Sequence, residues 1–142
     1  MTSQIERYSA IPLAGRVLLA AIFVLSGVGK IFAPEATQGY IASAGLPFPQ
    51  LGYLLAVLLE IGGGLLLAVG YKTRLVALVL AVFSVATALI FHGAIGDQNQ
   101  LIHLLKNFAM AGGLLQVVAF GAGSLSLDAR AGALTVAPGA SR

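Results

Sequence analysis

Cysteine is absent from the sequence. That absence removes disulfides, thiolate catalysis and thiolate metal ligation, so any redox role would need a bound cofactor. Charge is nearly as scarce: 9% of the 142 residues are acidic or basic against 58% hydrophobic, with a mean hydropathy of +0.96, which places the chain in a membrane. No polar segment is large enough to fold alone, so a soluble catalytic module has no room and any chemistry lies within one all-α, integral membrane domain. No internal motif repeats, which leaves an inverted-repeat transporter without support. The net charge of +3 does not imply nucleic acid, because the eight basic residues are scattered at the ends of apolar runs, where they act as topology signals.

What the sequence does contain is four apolar runs, expected as spans over about 13–32, 51–71, 75–92 and 101–120, forming a four-helix bundle from residues 1–128. Pro12 suits a first helical turn. Arg7 and Arg16 ahead of the first run resemble a signal peptide, but no convincing small-x-small cleavage site precedes Lys30 and three more spans follow, so a retained helix is expected. Between the first two runs, Pro34 can start a helix, Gly45 can stop one, and Pro47 and Pro49 forbid continuation; a short interfacial helix over 35–44 would carry Tyr40 and Ile41 onto headgroups or over the bundle mouth. From Ala129 to Arg142 the chain is rich in Ala and Gly, holds a Pro, has no period and reads as a disordered cytoplasmic tail.

One carboxylate interrupts the second run. Glu60 follows Leu51 by nine residues, about 14 Å into the bilayer at 1.5 Å per residue, near the midplane. A charge there costs about 2.5 to 3.5 kcal/mol, so it should face the bundle and find a partner. Small residues, Gly63 and Gly64 among them, share its face. On the first run Arg16, Ala20, Phe23, Gly27 and Lys30 recur at helical spacing, with Ser26 beside them; on the fourth His103, Asn107, Met110 and Leu114 share a stripe, with Lys106 adjacent. Lys106 is about 8 Å deep by the same count and is the expected partner of Glu60. Arg7, Arg16, Lys72, Arg74, Arg130 and Arg142 fall on one side of the bilayer and only Lys30 and Lys106 on the other, so both termini should be cytoplasmic.

The expected site is therefore a pocket or polar network of Lys30, Glu60, His103, Lys106 and Asn107 toward the outer half. His92 and His103, with Asp97, are weak candidates for a surface metal site or axial haem ligation; a histidine pair at such positions is more often hydrated or capping.

Four pieces, in order, resemble the DoxX family of small bacterial inner-membrane proteins: FVLSGVGKIF at 23–32, QGYIASAGLP at 38–47, LLEIGGGLLLAVGYKTR at 58–74, and HLLKNFAMAGGLLQ at 103–116 followed by GAGSLSLD at 121–128. The resemblance implies a four-helix subunit in the inner membrane, associated with redox systems such as quinone-linked sulfur oxidation or the detoxification of quinones, catechols and oxidants. Three readings follow. The chain could bind a small quinone- or catechol-like molecule in the bundle, with Glu60 or His103 exchanging protons and Lys30, Lys106 and Asn107 holding oxygens. It could be a scaffold holding soluble oxidoreductases at the bilayer, with its polar groups only fixing helix register. It could be a permeation path for a weak acid or aromatic. A homo-oligomer is left open.

Overall fold

The computed structural model describes residues 2–135, all of its regular structure helical. Helix α1 spans Thr2–Phe32, α2 Pro34–Ser43 and α3 Pro49–Val57. A π-helical segment, Leu58–Gly63, joins α3 to α4, Gly64–Val69. Then come α5 (Thr73–Phe91), α6 (Gln98–Phe120) and α7 (Leu127–Thr135). Four stretches are long and apolar enough to cross a bilayer: Ala10–Phe32, Pro49–Val69, Thr73–Phe91 and Gln98–Phe120. Their limits lie within three residues of those expected from the sequence.

The spans form a ring in chain order. The first packs on the second, the second on the third, the third most extensively on the fourth, and the fourth touches the first, which leaves second and fourth diagonal. Small residues set these contacts. Ala77, Ala81, Ser84 and Ala88, one ridge of α5, are all buried, and Leu80, Ala111 and Leu114 close the core with Ala20, Phe23 and Leu67. Large apolar side chains such as Leu18, Leu54, Leu58, Leu89 and Phe120 point outward, as they must where lipid is the solvent. Where α1 crosses the second span, a Cβ on Gly27 would come within 2.6 Å of Ile61 Cγ1 and 3.3 Å of the Ile61 nitrogen, so only glycine permits the approach.

Two stretches differ from the sequence-based reading. Helix α1 begins ten residues before Pro12, so this proline lies inside the helix rather than at its start; membrane helices tolerate such a break when neighbours satisfy the freed groups. The first residues of the presumed irregular tail, up to Thr135, belong to α7, and the remainder of that tail lies outside the described residues.

The end of the bundle carrying residues 70–73 and 121–128 is tied by two side chains. Helix α4 closes in a Schellman turn: Gly70, at φ +71, donates to Leu67 O at 3.2 Å, and Tyr71 donates to Leu66 O at 3.0 Å. Arg16, 1% exposed, adds donors to this helix end, Nη1 to Leu67 O and Ala68 O at 3.0 Å each, while Nη2 donates to Leu125 O at 2.6 Å. Asp128 accepts from the backbone N–H groups of Lys72 (2.7 Å) and Thr73 (2.8 Å) and from Thr73 Oγ1 (2.6 Å) at the start of α5. It thus caps a helix 55 residues away in sequence. Burial opposes ionisation of Asp128, but the three hydrogen bonds and the Arg16 charge outweigh it and hold the carboxyl below its usual range.

Candidate functional site

Glu60 sits in the π-helical segment and is 6% exposed. A π turn inserts one residue per turn and rotates the side chains that follow, and such turns recur at functional sites. Here the wide turn lies against Gly27, whose missing Cβ would stand 3.1 Å from Glu60 Cβ. The close contact brings Gly27 level with Glu60. Lys30, one turn along α1, then reaches back: its Nζ donates to Glu60 Oε2 at 2.8 Å and Oε1 at 2.9 Å. Ser26, one turn before Lys30, accepts from Lys30 Nζ at 2.9 Å and donates to Glu60 Oε1 at 3.3 Å.

The partner of Glu60 is therefore Lys30, not Lys106. Depth along the bilayer suggested Lys106, but depth does not reveal which helices are neighbours, and the fourth span lies diagonally across from the second. Lys106 instead lies on an exposed part of α6 with its Nζ 3.3 Å from His103 Nδ1. An ammonium group can only donate, so in this contact the imidazole nitrogen accepts.

These groups surround a cavity of about 340 Å³ between the spans. Lys30, Glu60 and Ser26 line one part of it, and Lys106, Asn107 and His92 another. Phe23, Phe83, Phe91 and Tyr40 supply aromatic walls, with Ile22, Ile41, Ile90 and Met110 between them. Of the five residues expected to share a site, four line the cavity: Lys30, Glu60, Lys106 and Asn107. His103 is not among the lining residues; its ring stacks on that of His92, centroids 5.0 Å apart, and its carbonyl accepts from Asn107 Nδ2 at 2.9 Å.

Helix α2 lies along one side of the cavity. Thr37, Tyr40 and Ile41 line it, and Tyr40 stacks on Phe91 at 5.2 Å and donates its hydroxyl to Phe91 O at 3.2 Å, tying α2 to the end of α5. Thr37, Phe83, Thr87 and Phe91 escaped the sequence reading, since an isolated threonine or phenylalanine in an apolar run carries no signal.

The metal candidates are otherwise engaged. Asp97 caps α6 by accepting from the Gln100 N–H at 2.9 Å, and His92 Nδ1 is hydrogen-bonded to Gln100 Oε1 at 2.8 Å. Among the described residues no three His, Cys, Asp or Glu side chains are grouped to hold a metal ion.

The DoxX family model matches residues 11–93, which hold the first three spans, α2, and both members of the Lys30–Glu60 pair. The chain belongs to the DoxX family. Among curated proteins, this DoxX chain is 36% identical over 118 residues to the Inner membrane protein YqjF of Escherichia coli K12, an overlap covering 82% of the chain and 88% of that protein. It is 32% identical over 125 residues to the Inner membrane protein YphA of the same organism, covering 83% and 88%. No solved structure shows a significant match. The DoxX chain is thus an integral membrane protein whose likeness to both relatives extends beyond the residues the family model matches.

Proposed function

We propose that this DoxX protein lies in the inner membrane, as its two relatives are named, and binds one small, flat, weakly polar molecule of the quinone or catechol class between its spans. The observation that carries the reading is the cavity: about 340 Å³, walled by aromatic rings, with a few polar groups converging on it. Pockets for small molecules hold about 300 to 1,000 Å³ and share this mostly apolar lining. Phe23, Phe83 and Phe91 offer faces on which a ring can stack. Asn107 keeps a second N–H and its carbonyl oxygen for a ligand, since one N–H is spent on His103 O.

Within this reading the residues bind and orient. Glu60 has both oxygens held by Lys30, so it serves first as the counter-ion that keeps Lys30 at the cavity wall. A redox partner, soluble or membrane-bound, would supply the electrons, and the chain's own side chains supply stacking and hydrogen bonds. The self-contained Lys30–Glu60–Ser26 network favours a second reading, a scaffold in which these groups only fix the α1 register.

Titrating a soluble naphthoquinone against purified protein, with thermal unfolding as the readout, separates the two. Ligand at 100 times its dissociation constant adds about 2.7 kcal/mol of stability if it binds the folded state alone. No stabilisation by any quinone or catechol would leave the scaffold reading.

A further inference from the structure

We infer that the cavity selects an anion: its ligand, on the quinone or catechol reading above on which this inference rests, carries an ionised ring oxygen that pairs with Lys106. A charge count leads there. The formally charged side chains on the cavity wall are Lys30, Glu60 and Lys106. Lys30 and Glu60 cancel in a two-point ion pair. Lys106 does not cancel, because the imidazole nitrogen it contacts satisfies one N–H without supplying negative charge. Among the described residues the ion pair of Lys30 with Glu60 is the one present, so no carboxylate answers Lys106.

The neutral polar groups of the wall carry no charge that could cancel it: the Tyr40 hydroxyl donates to Phe91 O, Thr87 Oγ1 donates to Phe83 O, and His92 Nδ1 is hydrogen-bonded to Gln100 Oε1. Lys106 stands exposed at the cavity wall with no counter-charge among the described residues, and its attraction for an anion grows as a bound ligand displaces water. A neutral quinone fills the same volume but leaves the excess positive charge. A hydroxyquinone or a catechol monoanion removes it while its ring still lies against the phenylalanines.

The test compares two ligands that differ in one methyl group. Lawsone is a naphthoquinone whose hydroxyl is ionised at neutral pH, and its methyl ether is uncharged; both are titrated at pH 7 against full-length protein in detergent by calorimetry. Lawsone should bind the unaltered protein about tenfold more tightly, equivalent to about 1.4 kcal/mol. Lys106→Met should erase that preference, and Lys106→Arg should retain it. Because Lys106 is exposed, these variants should unfold at the same temperature as the parent without ligand. Equal affinity for the two ligands in the unaltered protein, or a preference that survives Lys106→Met, overturns the anion inference and leaves the quinone reading standing. Failure of both ligands to bind overturns both.

Discussion

Lys30 and Glu60 form a pair in which each residue makes the other tolerable. Glu60 is 6% exposed and the Lys30 side chain 26%, so truncating one strands a mostly desolvated charge. Removing one partner of a buried pair costs about 3 to 5 kcal/mol, whereas replacing both is often neutral. For Glu60→Gln and Lys30→Met we expect single losses near 3 kcal/mol, at the low end because Lys30 keeps some solvent, and a double variant that loses clearly less than their sum. A double-mutant cycle on thermal unfolding in detergent measures this, and additive losses would show that the pair does not form. At the opposite end, the carboxyl of Asp128 is held below its usual range, so its stabilisation is complete above about pH 4, the unfolded value, and fades as pH falls through the lower folded value. Asp128→Asn should therefore lower stability by about 1 kcal/mol at pH 7, the scale of a lost helix cap. Followed from pH 7 to pH 3, the gap between parent and variant should narrow; a constant gap would mean the charge of Asp128 is not what stabilises α5.

At the scale of elements, glycines of α1 separate by what they face. Gly27 lies on the π-helical segment, where an added Cβ meets Ile61 and Glu60, while Gly29 has nothing within 4 Å. Gly27→Ala must push α1 off the second span, and overpacking of this kind costs about 1 to 3 kcal/mol. Gly29→Ala should be neutral or stabilising, because alanine is favoured over glycine in a helix by about 0.8 to 1 kcal/mol. Thermal unfolding of the two variants side by side checks this, and equal effects would remove the close crossing. If the cavity takes the proposed ligand, Gly27→Ala should also weaken that binding, since Ser26 and Lys30 on either side move with the helix.

For the whole molecule, the two ends of the bundle differ in charge and in tethering. Arg16, Lys72, Arg74 and Arg130 belong to the end that Asp128 and Arg16 tie together, and Lys30 and Lys106 to the end that holds the cavity. If basic residues are retained on the cytoplasmic side, the tied end is expected to face inward and the cavity outward. Reporter fusions after His92 and after Arg142 test this: a periplasmic reporter should be active only in the loop after His92. Activity at the C-terminus instead would place the cavity on the cytoplasmic side.

Much of this was legible in the residues themselves. Four spans follow from run length against bilayer thickness, and the buried stripe of α1 follows from helical spacing, because both are local properties of a chain in lipid. The midplane carboxylate declared that it needed a partner, since the cost of an unpaired charge depends on depth alone. Which residue answers it was decided by tertiary structure. The order of helices around the ring puts Lys106 diagonally away, and the Gly27 contact brings Lys30 within reach, neither of which leaves a mark in hydropathy. The π turn at Glu60 is equally silent, because one wide turn has the same composition as an α turn. Arg16 reads in sequence as a topology signal at a helix end; only folding, by bringing the open carbonyls of α4 and of Leu125 around it, makes it a buried clasp. The sequence determined how many helices cross the bilayer and which faces turn inward; the packing of those faces decided which charges meet.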